Sequence, residues 1–125
     1  MNNFTSKDEF ITYLKSKTKQ FAVDTIKFCD SLEYTQSLKV IKYQLIKSAT
    51  STGANYRAVC RSRSKAEFFS KLSITLEEAD ESQYWLEILD NLQLRINHAE
   101  LKRLHNEIDQ IVSILTTARK NVKRN

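Results

Sequence analysis

Apolar residues recur every three or four positions through almost the whole chain, which is the spacing of one face of an α-helix. The spacing is clearest in two segments, Ser64 to Asn91 and Asn97 to Val122. The first carries the inward series Phe68, Leu72, Thr75, Ala79, Ser82, Leu86 and Leu89. The second carries the series Leu101, Leu104, Ile108, Ile111, Leu115, Ala118 and Val122. Both patterns predict long amphipathic helices that pack in a bundle.

Capping boxes mark three helix starts. Ser6, Ser64 and Asn97 are each followed three residues later by Glu, so the side-chain oxygen can accept from a backbone N–H while the Glu reaches back. A further apolar series from Leu38 to Val59 has the same helical spacing. The polar stretch from Lys15 to Gln20 predicts either a break or a solvent-exposed middle in the first helix.

The connections between these segments are short, and short connections force neighbouring helices to run antiparallel. The predicted fold class is all-α, an antiparallel up-and-down four-helix bundle. We predict one domain over residues 1–125, with helices at about 7–32, 37–62, 65–91 and 98–122.

Composition fits this architecture. One glycine and no proline leave few positions suited to tight turns, so few long elements are expected. No segment approaches the ~18 consecutive apolar residues of a membrane span, and no targeting signal is visible at the N-terminus. We therefore expect a soluble cytoplasmic protein without a membrane partner. Cys29 and Cys60 lack any ligand spacing and are interpreted as small buried hydrophobes.

The third helix carries more apolar surface than one bundle groove can bury. Large exposed apolar patches usually mark interfaces, and Tyr and Trp commonly anchor them. These residues either widen the internal core or mediate self-association, and we favour the second alternative. The candidate oligomer interface comprises Phe69, Ile74, Leu76, Tyr84, Trp85 and Ile88.

Charge is segregated along the chain, whose net charge is +5. Residues 36–75 hold eight Lys or Arg and one acid, whereas residues 76–90 hold six acids and no base. If the second and third helices form a hairpin, Arg57 and Arg61 run alongside the acids of the third helix. They are expected to pair with those acids, either within a subunit or between subunits.

Further basic residues cluster at the hairpin tip and near the chain end. Cations in a last helical turn interact favourably with the helix dipole, which is one explanation of the second cluster. The other explanation is a patch that contacts phosphates. The candidate nucleic-acid contacts are Arg61, Arg63, Lys65, Arg119, Lys120, Lys123 and Arg124. Without a base-reading motif, such binding would be directed at the backbone and weakly sequence-specific.

No catalytic or metal-binding pattern is present in the sequence. His98 and His105 are two helical turns apart, too far to chelate one ion, and no Glu-x-x-His pair supports a di-iron bundle. There is no glycine-rich phosphate loop and no nucleophile elbow. We expect no enzyme, no metal and no cofactor.

The second and third predicted helices carry a recognisable pattern. It begins with Ser51-Thr52-Gly53-Ala54-Asn55-Tyr56-Arg57 and continues with Arg63-Ser64-Lys65-Ala66-Glu67-Phe68. It ends with Glu77-Glu78-Ala79-Asp80-Glu81-Ser82 and Trp85-Leu86. The pattern resembles the 23S rRNA intervening-sequence protein family over roughly Phe21 to Ala118. Many members have Pro where this chain has Gly53, and Ala-Glu-Gly where it has Arg57-Ala58-Val59.

The resemblance implies a four-helix bundle that assembles into a ring, typically a homopentamer, without established catalytic activity. It also implies kinship with the accessory variability protein of diversity-generating retroelements, a basic pentameric barrel that binds nucleic acid and a reverse transcriptase. The residues of the motif that we single out are Gly53, Asn55, Tyr56, Arg57, Glu78 and Glu81. The small residues around Gly53 indicate a close approach of two helices, and Asn55 is either a buried structural amide or a ligand contact.

Three hypotheses for function follow from these patterns. The leading one is a non-catalytic ring that presents a basic surface to RNA or DNA. The second is a protein-interaction or structural assembly module without nucleic-acid binding, which uses the aromatic surface around Tyr84 and Trp85. A third, weaker one is a small-molecule or metal site in the bundle core.

Overall fold

The computed structural model describes residue 4 and residues 6–122, and its regular structure consists of four α-helices. They are α1 (Lys7–Asp30), α2 (Gln36–Val59), α3 (Lys65–Asn91) and α4 (His98–Lys120). Within these described residues there is no β-strand. In the same part of the chain, no helix is both long and apolar enough to cross a membrane.

Each helix starts where a side chain caps its first turn. The side-chain oxygens of Ser6, Ser64 and Asn97 accept hydrogen bonds from the backbone N–H groups three residues later, at 3.1, 3.1 and 3.0 Å. Helix α2 uses Thr35, whose hydroxyl accepts from the Leu38 N–H at 3.1 Å. The sequence pattern missed the Thr35 cap because no Glu follows it at the third position.

Contacts across the helices show that neighbours run in opposite directions. Lys17 of α1 donates to Gln110 of α4, and Asp24, one heptad further along α1, accepts from Arg103, one heptad earlier on α4. The same reversal relates α3 to α4, where Ser73 meets Arg119 and Gln83 meets Asp109. Each helix packs against two others, and within the described residues the backbones of the diagonal pairs do not approach closely.

Large and small side chains are divided unequally among the helices. The buried residues of α4 are all Leu or Ile. In contrast, every buried polar side chain of the described residues lies on α1, α2 or α3: Thr18, Thr25, Ser48, Thr52, Thr75 and Ser82. Small residues let helix backbones approach, as α2 and α3 do where Ser48 meets Ser82, while the bulky buried face of α4 packs against its two neighbours, α1 and α3.

The polar stretch of α1 does not break the helix. The Lys17 ammonium, which is largely buried, forms an ion pair with Glu107 and donates to Gln110 at 2.7 Å. Arg103 bridges Asp24 of α1 and Glu100 of its own helix, at 3.0 and 2.7 Å. The polar middle of α1 therefore faces α4 and solvent, and polar contacts join the two helices.

Candidate nucleic-acid interface and assembly surface

The antiparallel topology brings the start of α1, the α2–α3 connection and the end of α4 to one end of the bundle, which we call the basic end. These segments enclose an open cleft of about 560 Å³. Its lining residues are Lys7, Ser62, Arg63, Ser64, Lys65, Phe68, Asn121 and Val122. Three cations, two hydroxyls and one aromatic ring thus meet around a single cleft.

Most cations at the basic end are not neutralised within the subunit. Glu67 accepts from Lys71 at 2.9 Å and lies 3.8 Å from Arg63, whose side chain is 89% exposed. The hydrogen bond from Lys71 holds the pKa of the Glu67 carboxyl below its usual value. No ion pair within 4 Å involves Lys7, Arg61, Lys65 or Lys120 in the described part of the chain.

Arg119 differs from the other predicted nucleic-acid contacts. Its guanidinium lies 4.5 Å from the centre of the Phe69 ring, and its Nε donates to the Ser73 hydroxyl at 2.8 Å. The side chain is therefore half-buried in the seam between α3 and α4. Arg61, Arg63, Lys65 and Lys120 are exposed, whereas Lys123 and Arg124 lie outside the described residues.

Sequence reasoning missed Lys7, which lines the same cleft as Arg63 and Lys65. The signal was available in part. The capping box at Ser6 fixes the start of α1, and in an up-and-down bundle that start lies at the same end of the bundle as the start of α3. Combining the two would have added Lys7 to the basic end.

The predicted oligomer surface on α3 is divided in the structure. Leu76, Trp85 and Ile88 are partly buried and pack against the core, and the Trp85 indole N–H donates to Glu81 at 3.4 Å. Ile74 and Tyr84 remain 47% and 54% exposed. Part of the apolar flank thus widens the core, and part faces outward.

Helix α2 contributes outward-facing apolar side chains that the sequence prediction did not include. Tyr43 is 65% exposed, and Val40 is also exposed. Their signal in the sequence was weak because Lys39, Lys42 and Lys47 surround them. Exposed aromatic residues therefore occur on both α2 and α3.

The motif around Gly53 is largely structural in its contacts. A β-carbon built on Gly53 would lie 3.6 Å from the backbone and side chain of Thr18, so α1 and α2 approach closely here. Asn55 is half-buried and its amide donates to the Ser51 carbonyl at 2.8 Å. Tyr56 is buried, and burial, followed by the nearby Cys60 thiol, raises the pKa of its phenol. Arg57 is exposed.

The acids of α3 form no ion pairs with α2 inside the subunit. Within the described residues no salt bridge involves Arg57 or Arg61, so the within-subunit pairing considered from the sequence is not present. Burial, followed by the nearby Glu81 carboxylate, raises the pKa of Glu78, and the charge of Lys47 opposes the rise. The acidic segment is therefore electrostatically unbalanced within one copy.

Of the two cysteines predicted to be buried, Cys29 is buried, whereas Cys60 is only half-buried. His98 lies with its Nε2 2.9 Å from the Leu94 carbonyl oxygen, and burial raises the pKa of the Cys29 thiol to about 12. Across residues 6–122, no group of three or more His, Cys, Asp or Glu side chains is arranged to hold a metal ion.

The fold and its surfaces define a small four-helix-bundle protein with a basic end and with exposed tyrosines on α2 and α3. The chain belongs to the 23S rRNA-intervening sequence protein family, whose profile matches residues 11–117. A crystal structure of a protein of unknown function from the S23 ribosomal protein family of Bacteroides thetaiotaomicron is similar. It shares 32% sequence identity, covers 89% of this chain and 98% of its own, and superposes with a TM-score of 0.79. No curated protein matches the sequence significantly.

Proposed function

We propose that this protein is a non-catalytic, ring-forming bundle that presents its basic end to the phosphate backbone of RNA or DNA. The observation that carries the proposal is the meeting of Lys7, Arg63 and Lys65 around one open cleft. Phosphates are bound by Lys and Arg in a sequence-independent way. All three cations are exposed; Lys7 and Lys65 form no ion pair within the described residues, and Arg63 lies 3.8 Å from Glu67.

The cleft has features that suit a nucleic-acid backbone. The first turns of α1 and α3 lie at this end, and helix N-termini carry partial positive charge. The Ser64 hydroxyl, which accepts from the Glu67 N–H, is able to donate its own proton to a phosphate oxygen, and Phe68 offers an apolar surface beside it. None of these groups reads base edges, so the expected binding is weakly sequence-specific.

A matched pair of triple variants tests the proposal. In the first, Lys7, Arg63 and Lys65 are replaced by Gln, which removes the three cations of the cleft. In the control, the exposed Lys27, Arg95 and Lys102 are replaced by Gln. Both variants lose the same residue types and the same charge, so they differ only in where the charge is lost.

Gel-shift titrations with single- and double-stranded RNA and DNA should show a loss of affinity of tenfold or more for the cleft variant only. The slope of log K against log salt should fall by about 0.7 to 0.9 for each phosphate contact removed. If the wild type binds none of these nucleic acids at low salt, the proposal is wrong. An equal loss in both variants would reject the cleft as the contact site.

Exposed aromatic residues favour a second candidate function, a protein-interaction or structural assembly module without nucleic-acid binding. Ile74, Tyr84 and Tyr43 are 47%, 54% and 65% exposed, and exposed large apolar side chains commonly mark interfaces. This function predicts a complex that persists at high salt and no gel shift. For the ring, light scattering should report several times the chain mass of 14.6 kDa, with five copies expected from the family resemblance.

A further inference from the structure

Two exposed stripes of opposite charge run along neighbouring helices. The basic stripe on α2 is Lys39, Tyr43, Lys47, Thr50, Ala54 and Arg57. The acidic stripe on α3 is Ser70, Ile74, Glu77, Asp80, Tyr84, Glu87 and Asn91. In both, successive members are three or four residues apart, so each stripe follows one outward face of its helix.

Neither stripe is neutralised within the subunit. Helix α2 contains no acid, and residues 76–90 contain no base. No salt bridge in the described chain involves a charged member of either stripe. Lys47 lowers the pKa of Glu78 of the same subunit, but no salt bridge joins the two side chains. Each stripe also exposes one tyrosine, a residue type that frequently anchors interfaces.

We infer that the basic stripe of one copy packs against the acidic stripe of the next, in a head-to-tail contact between α2 and α3. The inference rests on the proposed ring and specifies which surfaces form it. Because the stripes lie on two different helices, the contact joins unlike surfaces. Repeated contacts of this kind produce a closed ring when the rotation between copies closes.

Heights along the bundle support the pairing. Ser48 of α2 touches Ser82 of α3, so in these antiparallel helices Lys39, nine residues before Ser48, is level with Asn91. By the same count Lys47 is level with Gln83 and Arg57 with Ser73. Copies related by rotation about an axis parallel to the helices keep these heights.

For each of these three cations, an acid of the acidic stripe lies within four residues of the α3 residue at the same height. Four residues correspond to about 6 Å along the helix axis, at 1.5 Å of rise per residue. Lys39 falls near Glu87, Lys47 near Asp80, and Arg57 near Glu77. Lys and Arg side chains span this offset. Thr50 and Ala54 are small, so the middle of the basic stripe leaves room for a neighbouring helix.

Charge reversal tests the inference. One variant carries Lys39→Glu, Lys47→Glu and Arg57→Glu, a second carries Glu77→Lys, Asp80→Lys and Glu87→Lys, and a third carries all six changes. Each partial reversal places like charges opposite each other, whereas the complete reversal restores attraction at the same net charge as the wild type. Circular dichroism confirms that each variant is helical.

Light scattering should give the mass of a single chain, 14.6 kDa, for each partial reversal and the wild-type multiple for the complete reversal. The inference would be overturned, and the ring left intact, by either of two results with a wild type that assembles. In the first, the partial reversals also assemble; in the second, the complete reversal stays monomeric. A monomeric wild type would overturn both. Nucleic-acid binding is scored separately by gel shift.

A crosslinking experiment needs only single substitutions. Chains carrying Arg57→Cys are mixed with chains carrying Glu77→Cys, dissociated and reassembled, and treated with a short bis-maleimide. A covalent dimer containing both chains, about twice 14.6 kDa, is expected. The wild type controls for Cys29 and Cys60, and Lys19→Cys on the exposed face of α1 should not crosslink to either chain. Efficient crosslinking of Arg57→Cys to itself would overturn the inference.

Discussion

The hydroxyl oxygen of Ser82 lies 2.8 Å from that of Ser48, in a fully buried contact between α3 and α2. Ser48 also donates to the Leu45 carbonyl of its own helix at 3.1 Å. Ser48 and Ser82 each occupy an inward position of the helical pattern, where a Leu or Ile would be usual. The contact therefore sets both the separation of the two helices and their relative height.

Removing either hydroxyl should destabilise the bundle modestly. We expect Ser48→Ala and Ser82→Ala each to cost about 1 kcal/mol in urea unfolding, because each removes a buried hydrogen bond. The double variant should cost less than the sum by about 0.5 kcal/mol or more, since the two groups are direct partners. Ser82→Leu should cost more, about 1–3 kcal/mol, through overpacking. Strict additivity of the two Ala variants would contradict a direct contact.

Gly53 should tolerate alanine even though α1 and α2 approach closely there. A β-carbon there would meet Thr18 at 3.6 Å, an ordinary van der Waals distance. Because glycine is disfavoured inside helices, Gly53→Ala should raise the free energy of unfolding by up to about 1 kcal/mol. Gly53→Leu should destabilise the chain, because the longer side chain meets the α1 backbone. A loss of stability in Gly53→Ala would mean that the helices approach more closely than the 3.6 Å contact allows.

The Thr25 hydroxyl is buried without a hydrogen-bond partner in the described chain. Thr25→Val keeps the shape and removes this polar group, so stability should stay constant or rise by about 1 kcal/mol. Thr52→Val is the matched control, since the equally buried Thr52 hydroxyl donates to the Ser48 carbonyl at 2.8 Å. It should lose about 1 kcal/mol in thermal or urea unfolding. Equal losses in the two variants would show that Thr25 is hydrogen-bonded.

The pH dependence of stability should report the environment of Glu78. Its pKa is raised from 4.5 by burial and by Glu81, so above pH 4.5 the folded chain holds this proton more tightly than the unfolded chain. Stability contributed by the protonated carboxyl is therefore lost as pH rises through the folded pKa. Glu78→Gln should be more stable than wild type at about pH 7, by less than about 1 kcal/mol.

Urea unfolding between about pH 4 and about pH 8 measures this difference. The Glu78→Gln variant should show a flatter profile than wild type above pH 4.5. Asp90→Asn, at an exposed position of the same helix outside the acidic stripe, should change stability by no more than about 0.5 kcal/mol. A Glu78→Gln variant that is less stable than wild type at neutral pH would contradict the assigned environment.

The sequence by itself determined the helices and the fold class. The capping residues Ser6, Ser64 and Asn97 act within one turn of chain, and the apolar spacing of α4 defines its buried face. Both signals are local, because the helical repeat of about 3.6 residues and the unpaired N–H groups of a first turn do not depend on neighbouring helices. The family resemblance implied the same four-helix architecture, and the profile match and the crystal structure bear it out.

Only the tertiary structure decided which side chains of these helices meet. Lys7 lines the cleft at the basic end. In contrast, Arg119 packs between α3 and α4, where it contacts Phe69 and Ser73. Trp85 packed against the core, whereas Tyr84 beside it remained exposed. Helical spacing fixes the angle of a residue around its own axis. The rotation and height of one helix against another depend on how large and small side chains interlock, so these contacts emerged only in the packed bundle.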